Sequence, residues 1–274
     1  MGTGNAILRS YGDSSAYTLD NAAEQAATRF DNLESLYDPG TIRHLDALGL
    51  APGARCWELG AGSGSVARLL ADRVGPAGHV LATDLNPRLV DTGDAAVVEV
   101  RQHDVTSDPL PAGGFDLIHA RLVIVHLADP VAALARLTSA LNPGGRLLIE
   151  DFDLSRTPVV RVDADHENVS VVSQAFIITF LANHGSDLSL GPKLPELFAS
   201  LGLVDIRAEG TCAIGIGESA VGGVNRANIE QVRDGLIASG LLTDDQIERF
   251  YQELSDPDLV IQMPPLISTT GTKL

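Results

Sequence analysis

From residue 54 onward, short apolar runs alternate with amphipathic ones. Residues 54–59 read as a short buried strand, and residues 65–74 carry Val66, Leu69, Leu70 and Val74 at helical spacing. Residues 79–84 predict a second strand that ends in Asp84, and 97–105 predict a β-rich run with Asp104 near its end. A fourth strand is expected over 114–121. Asp129 and Pro130 then supply an N-cap and a first helical residue for a helix over 131–141. The turn at 141–146 leads into a fifth apolar strand over 147–153. The pattern predicts one sizeable α/β core.

Upstream, polar residues 1–21, with Tyr11 and Tyr17, read as a loop or short helix. Residues 22–37 predict a helix with Ala26, Phe30, Leu33 and Tyr37 along one stripe, and 41–48 predict another short one. Downstream, 165–183 are apolar nearly all round, which predicts a buried helix serving as a pocket lid or a subunit contact. His166 and His184 bracket it. A short helix over 195–201 should precede the penultimate strand, 203–207. Residues 215–254 should insert two helical stretches, beginning near Asn225 and Thr243, before a final strand around 260–270. The glycine-rich stretches 214–217 and 221–223 read as a mobile loop.

The chemistry gathers at the first strand–helix junction, 56–64, C-W-E-L-G-A-G-S-G. Glycines at 60, 62 and 64 permit backbone angles and close approaches that a Cβ would block, so a ligand can lie against the main chain at a helix N-terminus. The dinucleotide fingerprint G-x-G-x-x-G would require its last glycine at Ser65. Glu58 precedes the turn, and a carboxylate there suits a cationic amino-acid group better than a pyrophosphate. Asp84, about 20 residues beyond Gly64, stands where an α/β nucleotide site places the acid that accepts ribose hydroxyls.

Together these residues resemble the class I S-adenosyl-L-methionine (SAM)-dependent methyltransferases, whose hallmark is E-x-G-x-G-x-G. The L-x-P-G-G turn at 141–145 is a further marker. Specific motifs cover 22–153, and layout alone covers 190–274. The resemblance implies a Rossmann-like, seven-stranded, mostly parallel sheet with helices on both faces and a helical lid. It implies a single domain over 1–274, with a SAM-binding core at 22–153 and lid or substrate insertions at 154–202 and 211–258. It also implies SAM as cofactor and S-adenosyl-L-homocysteine as product. Carried onto this chain, the cofactor set is Glu58, Gly60, Ala61, Gly62, Asp84 and Leu85, with Asp104 against the adenine amine and Val105 against the ring. Ala120 and Arg121 should approach the methionine moiety, and Arg29, with Tyr17 and Gln25, should lie near the cofactor mouth. For Asp104 the alternative is a carboxylate that closes the turn into Thr106, Ser107 and Asp108.

A base is needed only where the acceptor must lose a proton. Asp151 is the first candidate, followed by Asp153, His119, His184 and Tyr17; His126 faces either the pocket or the core. No H-E-x-x-H or cysteine cluster indicates a metal, and no G-x-S-x-G elbow supports a hydrolase. Formal net charge is −17, with 19 Lys and Arg against 36 Asp and Glu, which argues against nucleic-acid or anionic-membrane partners. The acceptor is therefore expected to be small, and neutral or cationic. The absence of a long apolar run and of a leader-like N-terminus, with cysteines only at 56 and 212, leads us to expect buried, reduced thiols in a cytoplasmic protein.

Within the class, the chain is similar to actinobacterial methyltransferases of secondary metabolism. Some of these methylate indole carbon 3 of tryptophan-derived compounds, and others modify phenols or amines. Two rival readings stay open: a SAM-binding protein without turnover, and an NAD-dependent oxidoreductase. The second is disfavoured by Ser65 and by the lack of a Tyr-x-x-x-Lys pair. A homodimer is expected if the apolar helix at 169–182 is not wholly occupied by the pocket.

Overall fold

The computed structural model describes residues 25–155, 166–184 and 187–274. In chain order the elements are α1 (Ala26–Leu48), β1 (Arg55–Leu59), α2 (Ser65–Val74), β2 (His79–Asp84), β3 (Val98–Gln102), β4 (Phe115–Arg121), α3 (Pro130–Ala140) and β5 (Leu141–Phe152). They continue with α4 (Glu167–His184), α5 (Leu190–Ser200), β6 (Leu203–Thr211), β7 (Ile214–Ile216), α6 (Ala220–Ala238), α7 (Asp244–Glu253), β8 (Val260–Gln262) and β9 (Leu266–Lys273). The reading of 1–21 lies outside the described residues.

The chain divides into two compact units. One comprises 33–153, 188–211 and 265–274 and holds a seven-stranded sheet in the order β3-β2-β1-β4-β5-β9-β6. Strands β1 to β5 pair in parallel, whereas β9 runs antiparallel to both β5 and β6. This is the expected mostly parallel α/β sheet. From β1 the chain steps outward to β2, and from β4 it steps the other way to β5. Right-handed crossovers in opposite directions put α2 and α3 on opposite faces and leave the switch point between β1 and β4. On the α2 face, Val66, Leu70 and Val74 pack with Cys56, Val80, Leu117 and Leu148, all fully or nearly fully buried. Trp57 points to the other face, where it lies 5.4 Å from the Phe115 ring and donates to Thr83 Oγ1 at 2.8 Å.

The other unit comprises the described parts of 1–32, 154–187 and 212–264. Its core is formed by Val169 and Val172 of α4, Val224, Ile229 and Leu236 of α6, and Ile247 and Phe250 of α7. Glu253 accepts from the Val169 N–H at 2.7 Å, which adds a side-chain acceptor for a donor in the first turn of α4. A capping box between Thr243 and Gln246 opens α7. Among the described residues no helix is long and apolar enough to cross a membrane.

Several boundaries differ from expectation. The two helices expected over 22–37 and 41–48 are one, α1, which runs through Pro39. Proline removes one backbone donor, but buried Leu33, Tyr37, Thr41 and Leu45 recur at four-residue spacing on both sides and hold the turns in line. The 141–146 turn is the irregular start of β5. A register shift between Phe115 and Leu117 accommodates it, with Gly144 at φ 77°. Pro195 lies inside α5, which begins five residues before it and groups with the sheet, although 154–202 was expected to be an insertion. The final strand expected at 260–270 is two: β8 pairs with β7 in a separate ribbon, and β9 enters the main sheet. The expected glycine-rich loop is β7 and the start of α6. Cys56 is buried as expected, and Cys212 is exposed; both are free thiols.

Candidate functional site

The glycine loop leaves β1 at the switch point. Gly60, Gly62 and Gly64 all have positive φ, at 71°, 57° and 94°, and Gly64 immediately precedes α2. A Cβ at Gly60 would fall 2.3 Å from Val123 Cγ2, and one at Gly64 would fall 2.5 Å from the Asp91 carbonyl oxygen. The loop is tied to the end of β2: the N–H groups of Gly60 and Ala61 donate to the Thr83 carbonyl at 2.7 and 2.9 Å. Asp84 completes the tie. Its Oδ2 accepts from Gly62 N–H at 3.0 Å and its Oδ1 from Asn86 N–H at 2.9 Å. Both carboxylate oxygens are thus held in place by the backbone at the mouth of the loop.

Next to Asp84, the Leu85 side chain stands 54% exposed, an apolar surface at the carboxyl end of β2. Beyond β3, Asp104 accepts from Thr106 N–H at 2.8 Å, Thr106 Oγ1 at 2.6 Å and Ser107 Oγ at 3.0 Å. That is the turn-closing arrangement. Burial pushes the Asp104 carboxyl up, but these hydrogen bonds outweigh it and the net direction is down. Val105 is buried beside it. A loop of left-handed glycines, a carboxylate fixed by backbone N–H groups at the strand end and an exposed apolar side chain fit a nucleoside with an amino-acid tail. Gly60, Ala61, Gly62, Asp84 and Leu85 would hold it.

Under the second half of α1 lies a buried polar layer made by three adjacent strands. Pairing of β1 with β4 sets Glu58 opposite His119, and pairing of β4 with β5 sets Arg121 opposite Glu150. Glu58, His119 and Glu150 are 2%, 0% and 1% exposed. His119 Nδ1 lies 2.6 Å from Glu58 Oε2, and its Nε2 lies 3.1 Å from Glu150 Oε2. Glu150 also accepts from Thr41 Oγ1 at 2.5 Å and Ser268 Oγ at 2.7 Å, and meets His44 Nδ1 at 2.9 Å. Burial pulls the His119 imidazole down, but the two carboxylates outweigh it and raise it to about 9. Burial also raises Glu58, against the pull of His119. For Glu150, hydrogen bonds from His119 and His44 overcome burial and hold the carboxyl well below the usual range. Arg121 donates to Asp38 at 2.8 Å and Thr41 at 2.9 Å, which ties the end of β4 to α1.

The base candidates fare differently. Asp151 is fully buried and its Oδ2 accepts from Val125 N–H at 2.9 Å, so it anchors the segment after β4 that packs Val123 against Gly60. His119 is held at both ring nitrogens by carboxylates. Neither has a surface that an acceptor could touch. Asp153 is buried, and its N–H donates to the Pro265 carbonyl at 2.8 Å. Tyr17 lies outside the described residues, as does the side chain of His184. Ala120 is buried at the end of β4, and Arg29, in the other unit, sets its guanidinium 4.8 Å over the Phe30 ring. Among the described residues no group of three or more His, Cys, Asp and Glu could hold a metal ion.

Motif reasoning singled out Glu58, the glycines and Asp84, which the structure places at the end of β1, in the loop and at the end of β2, but not Thr41, His44, Glu150 and Ser268, which share the buried layer. Only Glu150 left a signal, as a charged residue straight after the apolar run Leu147, Leu148 and Ile149. His44 and Ser268 reach the layer through tertiary packing, which no local pattern encodes.

The methyltransferase-domain family matches residues 32–187. A 37.1 kDa protein in transposon TN4556 of Streptomyces fradiae is 37% identical over 114 residues, 40% of this chain and 33% of that protein. A ubiquinone/menaquinone biosynthesis C-methyltransferase of Ectopseudomonas mendocina is 29% identical over 158 residues, 50% of this chain and 62% of that enzyme. The chain thus spans less than two thirds of the length of either relative. The crystal structure of the YcgJ protein from Bacillus subtilis shares the fold at a TM-score of 0.56 and 18% identity, covering 85% of this chain and 98% of that one. With the glycine loop and Asp84 at the switch point of this sheet, the chain belongs to the methyltransferase-domain family, of the class I SAM-dependent kind.

Proposed function

We propose that this protein transfers the methyl group of SAM to a carbon atom of a small-molecule acceptor in secondary metabolism. Indole carbon 3 of a tryptophan-derived compound is the first candidate. The observation that carries the reading is the Gly60–Gly64 loop tied to Asp84 at the switch point. SAM, when bound, supplies a methyl group already activated by its sulfonium. The work left to this chain is to bind, align and keep water out, and alignment of this kind contributes roughly 7–11 kcal/mol. In this reading Asp84 accepts the ribose hydroxyls, Leu85 covers the adenine and Glu58 takes the ammonium of the amino-acid tail.

Carbon as the receiving atom is supported by the C-methyltransferase among the relatives. It is also supported by the burial of Asp151 and His119, since a π-rich carbon attacks before it must lose a proton. The secondary-metabolism setting comes from the resemblance to actinobacterial methyltransferases, and a Streptomyces protein is among the relatives. The same reading has the enzyme acting in the cytoplasm on a small molecule, without nucleic-acid or membrane partners, as its net charge of −17 favours. It also includes a homodimer through the apolar helix, on which Val171 is exposed. Sedimentation showing only monomer at micromolar concentration would remove that part.

The test is to incubate the protein with methyl-deuterated SAM and a metabolite extract of the producing strain, followed by mass spectrometry. One metabolite should gain the labelled methyl, and its fragmentation should place the label on carbon. Label on oxygen or nitrogen would refute the carbon assignment. Bound SAM without any label transfer would favour the non-catalytic reading.

A further inference from the structure

The polar layer is asymmetric in its hydrogen bonds. Glu150 is saturated: His44 and Ser268 meet Oε1, and Thr41 and His119 meet Oε2, four donors for about four lone-pair sites. Among the described residues Glu58 has one hydrogen-bond donor, His119 at 2.6 Å, although its backbone leads directly into the glycine loop. With both carboxylates ionised the imidazole donates from both nitrogens, so it is a cation without a free lone pair and cannot take a proton from an acceptor. Two carboxylates in a dry core would otherwise repel each other. The layer is therefore a saturated anchor, a double-ended cation and a carboxylate with acceptor capacity left over.

We propose that His119, anchored by Glu150, is the positioning residue that presents the Glu58 carboxylate to the ammonium at the amino-acid end of the cofactor. This rests on the SAM-binding reading above. His119 fixes the Glu58 rotamer and opposes the burial that would neutralise it. Glu150 fixes His119, and His44 extends the chain toward solvent, where its Nε2 meets Glu209 at 3.3 Å. The charged and titratable groups facing the layer are Asp38, Arg43 and His44 from α1, Arg121 from β4 and Glu209 from β6.

The experiment compares two ligands on the full chain by calorimetry: S-adenosyl-L-homocysteine, which has the ammonium, and 5′-methylthioadenosine, which lacks the amino-acid tail. In His119→Gln the first should bind about 10- to 100-fold more weakly, as for loss of one charge-assisted hydrogen bond, and the second within about twofold of wild type. Deprived of its cation, Glu58 should also protonate more readily. The pH below which the preference for the tailed ligand disappears should then move upward, a shift that a merely structural histidine would not produce. If His119→Gln fails to fold, Glu150→Gln carries the same test, because it frees one end of the ring. Equal weakening of both ligands, or of neither, would overturn the proposal. Glu58→Gln separates the ammonium contact from the positioning role. If it leaves the tailed ligand unaffected, the assignment of Glu58 to the ammonium is wrong. If it weakens that ligand while the His119 and Glu150 variants do not, only the positioning role fails. If wild type binds neither ligand, the SAM-binding reading itself falls.

Discussion

Burial pushes the Asp151 carboxyl up to about 7, against the opposing N–H of Val125. In the unfolded chain the group titrates near 3.8, so between the two values the folded state holds a proton that the unfolded state has lost. Stability from this residue is therefore greatest at low pH and declines as pH rises toward 7, at about 1.4 kcal/mol per pH unit. Asp151→Asn keeps an oxygen for Val125 N–H and cannot ionise. Denaturant titrations at pH 5 and 7 should show the variant gaining on wild type by on the order of 2–3 kcal/mol across that interval. A pH-independent difference would mean that Asp151 is ionised when folded. Gly60 gives a second prediction at this scale. Gly60→Ala combines a left-handed φ with the contact on Val123 Cγ2, and it should cost about 2–5 kcal/mol. Gly240 also has positive φ, but no atom lies within 4 Å of its would-be Cβ, so Gly240→Ala should cost only about 1–2 kcal/mol. Equal losses would show that the loop yields at Val123.

At the scale of elements, legibility followed locality. The helix after β4 was readable because its signals are adjacent in sequence: Asp129 is the N-cap and accepts from Ala132 N–H at 2.9 Å, and Pro130 is its first residue. Asp129→Ala should therefore cost about 1 kcal/mol and Asp129→Asn much less, measured by thermal or denaturant unfolding. If the two cost the same, the charge rather than the cap matters. Strands β1, β2, β4 and β5 were equally plain, since buried parallel strands are continuous apolar runs. Proline misled the reading of α1, because propensity is local whereas the buried stripe through Leu33, Tyr37, Thr41 and Leu45 is tertiary. The 260–270 run concealed two strands, because Pro264 and Pro265 interrupt it between β8 and β9 and each half pairs with a different sheet. The site divides the same way: Glu58, the glycines and Asp84 are a motif, whereas the rest of the polar layer around His119 and Glu150 comes from α1, β4, β5 and β9.

For the whole molecule, the net charge of −17 makes its own demand on ligands. SAM carries one more positive charge than S-adenosyl-L-homocysteine, on its sulfur, and is otherwise nearly the same shape. A field spread over the whole protein favours the donor over the product without any contact at the sulfur. Such a field is screened as the Debye length shrinks from about 10 Å at 0.1 M salt to about 3 Å at 1 M, while short-range contacts in the loop are screened far less. Calorimetry with both ligands should therefore show the preference for SAM over its product falling about two- to fivefold between 20 mM and 0.5 M salt. The product's own affinity should change little, because its tail is zwitterionic and neutral overall. A salt-independent ratio would mean that the distinction between donor and product arises wholly at the strand ends. The acidic charge would then have no part in exchanging spent cofactor for fresh.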